Sequence, residues 1–183
     1  MNYILFEDDR TSLLAPLSDL HASFEMRTGV FTNIERILMQ ISNTDSVQIY
    51  VRKEIEDIIC KKYPDLEVNP EEYNAGIYLN GNGVWYSEEI SLIHSNRSYS
   101  NDNGLIGFMF DEIARYDDVE NLIKEQSLVC SNINIISIKY LWDIFEILSD
   151  TIKKDNELIY KYKEGDIHPS CVLIDDDNVT ISK

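Results

Sequence analysis

The chain has 183 residues, 44% of them apolar and 10% aromatic, which bounds it to one ordinary domain with a real core and at most a small appendage. Its 33 acidic residues against 16 Lys and Arg give a formal charge of −17. That charge disfavours nonspecific binding to nucleic acid or to an anionic membrane, while leaving room for a local basic pocket that takes a small phosphate ligand.

Asn2 to Phe6 reads as a first strand, followed by a polar turn over Glu7 to Ser12. Phe31 to Ile41 carries Ile34, Ile37, Leu38 and Ile41 at three-to-four spacing and is predicted helical, with Thr32 or Asn33 as cap. Val47 to Val51 is a second strand, and Lys53 to Lys62 a second helix stopped by Tyr63-Pro64. Gly76 to Leu79 is a third strand. This β–α–β–α–β alternation predicts an α/β fold, a parallel sheet with flanking helices and right-handed crossovers. Beyond it lie a segment from Trp85 to Ile93, a polar loop over His94 to Asn103, a strand over Leu105 to Phe110 and a helix over Val119 to Glu125. A strand over Ile133 to Ile138 and a long helix over Tyr140 to Ile159 complete this part.

The tail changes character. From Asp166, short aliphatic beats alternate with small polar residues, as in the coils of a β-solenoid. The chain is therefore divided into an α/β domain over 1–165 and the start of a β-helix over 166–183. One coil cannot bury its own face. Either the chain is a fragment of a longer protein, or the coil packs on something else, a second copy included.

No apolar run approaches the roughly 20 residues that span a bilayer. The start, MNYILFEDDR, lacks the basic region of a secretory leader. Cys60, Cys130 and Cys171 lie far apart with no CxxC, which argues against a disulfide framework or a zinc site and makes the cytoplasm the default compartment. His21, His94 and His168 share no ligand spacing, and no Ser–His–Asp set follows from spacing.

One stretch raises a chemical question. Tyr78-Leu79-Asn80-Gly81-Asn82-Gly83 places a glycine-rich turn at the end of the third strand, where α/β sheets open into ligand crevices. A metal-using site wants an acid there, and this chain has Asn82. A second reading is a plain turn, since Asn and Gly both tolerate positive φ.

Four stretches in order carry a resemblance: MNYILFEDDRTSLLAPLSDL, EMRTGVFTNIERI, YLNGNG, and KYLWDIFEILSDTIKKDNELI followed by DIHPSCVLIDDDNVTISK. Together they resemble the bacterial sugar nucleotidyltransferase-like proteins, relatives of the bifunctional N-acetylglucosamine-1-phosphate uridylyltransferase/acetyltransferase. The resemblance covers most of residues 1–41 and 139–183 and the 76–83 turn. It implies a Rossmann-like nucleotidyltransferase sheet ending in the first coil of a left-handed β-helix. The implied reaction joins a nucleoside triphosphate and a sugar 1-phosphate into a nucleotide sugar, with Mg2+ bridging the phosphates. The implied assembly is a homo-oligomer formed through the β-helix.

The resemblance also assigns residues. The segment Phe6, Glu7, Asp8, Asp9 stands where relatives carry a glycine-rich phosphate loop, and Arg10 stands for that loop's arginine. This chain has no glycine there, so the segment reads equally as a solvated acidic turn. Arg27 takes the place of a phosphate-binding basic residue, ahead of a helix N-terminus that favours anions. Asn80, Gly81 and Asn82 line the nucleotide, with Asn82 where relatives carry a metal-binding Asp. Asp143, in Leu141-Trp142-Asp143, takes the place of the second metal aspartate, and it suits a helix N-cap as well. His168 lies in the first coil and reads as structural. The alternative function is a catalytically degenerate scaffold, or the N-terminal domain of a β-helical acyltransferase.

Overall fold

The computed structural model describes residues 1–42, 44–94, 97–161, 170 and 172. The proposed β-helix start and the boundary at 165 lie outside these residues, apart from the isolated positions 170 and 172. Among the described residues, five α-helices and nine strands follow the chain as β1 (Asn2–Phe6), α1 (Asn33–Leu38), β2 (Ser46–Tyr50), α2 (Glu56–Lys62), β3 (Glu67–Val68), β4 (Glu72–Tyr73), β5 (Gly76–Asn80), α3 (Ser87–Ile90), β6 (Ser98–Asn101), β7 (Gly104–Phe110), β8 (Ala114–Arg115), α4 (Tyr116–Ser127), β9 (Cys130–Asn132) and α5 (Asp143–Lys161).

Seven strands form one sheet in the order β3-β2-β1-β5-β7-β6-β9. β3, β2, β1 and β5 run parallel, β5–β7 and β7–β6 are antiparallel, and β9 returns parallel to β6. The central run Tyr3-Ile4-Leu5-Phe6 is continuously apolar because both of its faces are covered, as in other buried parallel strands. Tyr3 and Leu5 join Val47, Ile49, Ile77 and Leu79 under Ile34, Ile37 and Ile59 of α1 and α2. Ile4 and Phe6 point the other way, into a layer with Tyr78, Phe108 and α4's Val119, Leu122 and Ile123. A smaller cluster of Leu14, Met26 and Ile138 packs beneath Ile144 and Ile147 at the start of α5.

Several expectations need correction. The helix expected over 31–41 is a six-residue α1, closed at its start by a capping box between Thr32 and Glu35. A helix this short has little summed dipole, so the anion site expected at its N-terminus does not follow. The turn expected over 7–12 enters a 3-10 helix at Asp9–Leu14, capped by Asp8. No strand forms over 133–138. Ser137 makes only an isolated bridge to Gly83, and the true strand is the polar Cys130–Asn132. The apolar alternation of 133–138 instead places Ile135 and Ile138 in the core beside the strand ends. The loop expected over 94–103 contains β6, a polar strand with no apolar period to betray it. The last helix starts at Asp143 rather than at residue 140.

Candidate functional site

The chain runs from β1 outward to β2 and β3, then crosses back to place β5 on the other side of β1. Strand order therefore reverses between β1 and β5, the position beside which open α/β sheets bind ligands at their carboxyl ends. Phe6 is in register with Tyr50 on one side and Asn80 on the other. The Gly81 N–H donates to Phe6 O at 2.9 Å, so the glycine-rich turn lies directly against the acidic segment after β1. The structure thus brings Phe6, Glu7, Asp8, Asp9, Arg10, Asn80, Gly81 and Asn82 to one sheet edge.

The turn's residues are fixed by packing. Asn80 Oδ1 accepts the Asn82 N–H at 2.9 Å, and its Nδ2 donates to Asp8 Oδ2 at 2.7 Å. A Cβ on Gly81 would stand 2.3 Å from Ser23 Oγ, and one on Gly83 would stand 2.5 Å from Trp85 Nε1. Neither glycine has positive φ; among the described residues Gly104 is the glycine that does. The turn needs glycine for close approach and not for a left-handed backbone. Asn82 is 1% exposed, and its Oδ1 is buried without a hydrogen-bond partner. Thr11 Oγ1 and Ser23 Oγ are buried and unpartnered as well.

The acidic segment is largely neutralised from within. Glu7 is buried and ion-paired with Arg52 at 2.9 Å, and it accepts the Ser23 N–H at 2.7 Å. Burial pushes its carboxyl up, against the opposing pull of Arg52. Arg10 folds back on Asp8: its Nε lies 2.9 Å from both carboxylate oxygens, and Nη2 also pairs with Asp8. The same guanidinium donates to the carbonyls of Asn103 and Leu105 on the β6–β7 hairpin. Asp9 is the exposed acid of the segment.

Arg27 and Asp143 stand apart from this edge. Arg27 is 57% exposed, pairs with Glu35 at 3.4 Å and with the Val30 carbonyl, and lines a separate depression with Phe31, Leu38 and Met39. Asp143 is the first residue of α5 and not its N-cap: its Oδ2 reaches back to accept the N–H groups of Lys139 and Tyr140 at 2.7 and 2.9 Å, in the turn before the helix. The segment before it reaches the turn, since Ile138 N–H donates to Asn82 O at 3.0 Å. Trp142 is 61% exposed and stacks on Tyr140.

Sequence reasoning missed the cleft itself. A cavity of about 950 Å3 opens over the carboxyl ends of β1 and β2, lined among others by Asp9, Ser12, Tyr50, Lys53, Tyr116 and Glu120. The Tyr50 and Tyr116 rings lie 5.7 Å apart, and Lys53 Nζ sits 5.1 Å over the Tyr116 ring. Burial first, then Tyr116, Glu120 and Asp9, pushes the Tyr50 hydroxyl up to about 12, so it stays a neutral donor at physiological pH. The signal for half of this cleft was present: Tyr50-Val51-Arg52-Lys53 ends a strand parallel to β1 and must emerge at the same edge. Tyr116 comes from α4, and no local pattern connects it to β2.

The conspicuous stretch EMRTGVFTNIERI has a second use. Asn33 Nδ2 donates to Gly81 O at 2.9 Å, while its Oδ1 accepts from Thr28 Oγ1 at 2.8 Å and Arg36 Nη1 at 3.0 Å. Arg36 then pairs with Asp155 of α5. Thus the stretch clamps the glycine-rich turn and the last helix to α1.

These residues do not fit a resident Mg2+. Both Asp8 oxygens are taken by Arg10 and Asn80, Asp143 is taken by the main-chain N–H groups of the turn before α5, and Asn82 offers a single neutral oxygen. No group of three or more His, Cys, Asp or Glu among the described residues could hold a metal ion.

Against known proteins, the family model described as sugar nucleotidyl transferase matches residues 3–164, and the chain belongs to that family. No curated protein matches it. No helix among the described residues is long and apolar enough to cross a membrane.

Proposed function

We propose that this domain binds a nucleoside triphosphate and a sugar 1-phosphate at the carboxyl edge of β1 and β2. The reaction class is transfer of a nucleotidyl group to the sugar phosphate. A phosphate oxygen of the sugar 1-phosphate bonds to the α-phosphorus, the α–β anhydride bond breaks, and pyrophosphate leaves. The observation that carries the reading is the cleft of about 950 Å3 over the carboxyl ends of β1 and β2, beside the strand-order reversal, in a chain matched to this family over residues 3–164.

The chain's own residues supply positioning. Tyr50 and Tyr116 offer ring faces and hydroxyl groups, and the carboxylates of Asp9 and Glu120 accept sugar or ribose hydroxyl donors. Lys53 forms no ion pair among the described residues, unlike Arg52 and Lys124, and is the cation that a phosphate entering the cleft meets. Phosphoryl-type transfer asks a protein mainly for positioning and charge neutralisation, so one unpaired cation is a small provision for a triphosphate. A second reading, a degenerate binding scaffold, draws its support from the Arg10–Asp8 pair, which leaves that arginine facing a carboxylate and not the cleft.

A thermal-shift panel of UTP, dTTP, ATP, GTP and CTP, with and without a sugar 1-phosphate, tests the reading. Stabilisation by one nucleotide that is lost in Lys53→Ala and Tyr50→Ala supports it. Absence of any shift on folded protein moves the function to the scaffold.

A further inference from the structure

Thr11 lies in the short 3-10 helix that follows β1, and its N–H donates to Asp8 O at 3.0 Å. It lines the cleft yet is only 4% exposed, and its Oγ1 has no hydrogen-bond partner among the described residues. A buried hydroxyl left unpaired costs stability, and folded proteins retain few of them. The next residue shows that this helix offers local acceptors: Ser12 Oγ donates to Asp9 O at 2.7 Å. The hydroxyl of Thr11 makes no such bond and is held at the wall of the cleft instead.

We propose that Thr11 is a ligand-binding residue, whose hydroxyl pairs with a ring hydroxyl of the ribose or of the sugar. This rests on the reading of the cleft as the nucleotidyl-transfer site, and it deepens that reading by giving the ligand a direction. The neighbours of Thr11 decide what it meets. Glu7, Asp8 and Asp9 line the cleft on the same segment. Glu7 and Asp8 are neutralised by Arg52 and Arg10, whereas Asp9 forms no ion pair among the described residues. A phosphate oxygen brought to Thr11 would approach that uncompensated charge and be repelled. A ring hydroxyl is both donor and acceptor, so it can accept the proton of Thr11 and donate its own to the Asp9 carboxylate. Lys53, the unpaired cation, follows β2, the parallel neighbour of β1. The ligand therefore lies across the two strand ends, with ring hydroxyls over β1 and phosphate toward Lys53.

The experiment sets stability against affinity in Thr11→Val, which keeps the branched shape and removes the hydroxyl. Losing an unpaired buried hydroxyl should raise the thermal midpoint of the free protein by about 2–4 °C. The same change should weaken ligand binding about fivefold to tenfold by isothermal titration. Thr11→Ser retains the hydroxyl and should bind nearly as the wild type does. Ser23→Ala is the control: Ser23 Oγ is also buried and unpartnered, but Ser23 is absent from the cleft wall, so affinity should not change. The ligands are UTP, dTTP, ATP, GTP, CTP, glucose 1-phosphate and pyrophosphate, each alone. A loss confined to nucleotides assigns the partner to the ribose, and one confined to glucose 1-phosphate assigns it to the sugar. Pyrophosphate, which has no ring, should respond to wild type and Thr11→Val alike. A lower midpoint in free Thr11→Val overturns the proposal, as does a weaker response to pyrophosphate or an equal loss of affinity in Thr11→Ser or Ser23→Ala. Nucleotide and sugar phosphate binding that Thr11→Val leaves unchanged also overturns it, while the proposed function stands. A wild type that binds none of these ligands overturns both.

Discussion

Arg36 and Asp155, 119 residues apart in the chain, form an ion pair with both side chains fully buried, Nε to Oδ1 at 2.7 Å and Nη2 to Oδ2 at 2.9 Å. The remaining capacity of Asp155 is used by the Val30 N–H and the Tyr86 hydroxyl, each at 2.9 Å. Removing one partner leaves an uncompensated charge in the interior. Asp155→Ala should therefore cost about 3–5 kcal/mol in urea unfolding. The double variant Arg36→Met/Asp155→Leu should recover only part of that loss, because the Val30 N–H loses its acceptor while the Tyr86 hydroxyl keeps only the Thr151 carbonyl at 3.4 Å.

The same pair sets an acid limit. Burial pushes the Asp155 carboxyl up, but the hydrogen bond and charge of Arg36, with Tyr86 and the Phe31 N–H, outweigh it and hold the group below its ordinary 3.8. A depressed folded value means that the unfolded chain binds the proton first. The stabilisation from Asp155 is then complete above 3.8 and is lost as pH falls through the lower folded value. In urea titrations between pH 3.8 and that lower value, wild-type stability should fall more steeply than that of Asp155→Asn.

At the cleft, Lys53→Ala should weaken nucleotide binding about tenfold or more, as expected for one charge-assisted contact worth about 1.5–3 kcal/mol. Tyr50→Phe should retain more binding than Tyr50→Ala, since it keeps the ring beside Tyr116 and loses only the hydroxyl. Isothermal titration with the nucleotide selected by the thermal panel measures both.

Gly81→Ala should destabilise the fold by about 1–3 kcal/mol, because its new methyl meets Ser23 Oγ at 2.3 Å and the Phe24 main-chain nitrogen at 2.9 Å. The urea midpoint should drop while far-ultraviolet dichroism of the native baseline is unchanged.

Much of the frame was legible in the residues. The runs at Asn2–Phe6, Ser46–Tyr50 and Gly76–Asn80 are apolar because their strands are covered on both faces, and their alternation with helices gave the parallel half of the sheet. Among the strands that escaped notice, Ser98–Asn101 and Cys130–Asn132 are polar members of the far edge and carry no period to read, and Glu67–Val68, Glu72–Tyr73 and Ala114–Arg115 are two-residue pieces. Ile133 to Ile138 misled because an apolar alternation reports burial, which it has in part, and not a ladder. At the site, the sheet-edge residues came from strand ends and were within reach of sequence reasoning. The Arg36–Asp155 pair and the Tyr50–Tyr116 wall were not, since each joins segments far apart by contacts that only the folded chain creates.

α5 is fastened at and just beyond its middle. Thr151 hydrogen-bonds the carbonyl of Thr28, and Asp155 grips Arg36 one turn later. From Asp155 to Lys161 the helix runs on for about 9 Å. A rod clamped at two successive turns cannot swivel freely about its base. The direction of α5 beyond Asp155 is thus set by the same arginine that, through Asn33, braces the glycine-rich turn. A change at that turn that disturbs Asn33 or Arg36 would be felt as a change in the direction of α5.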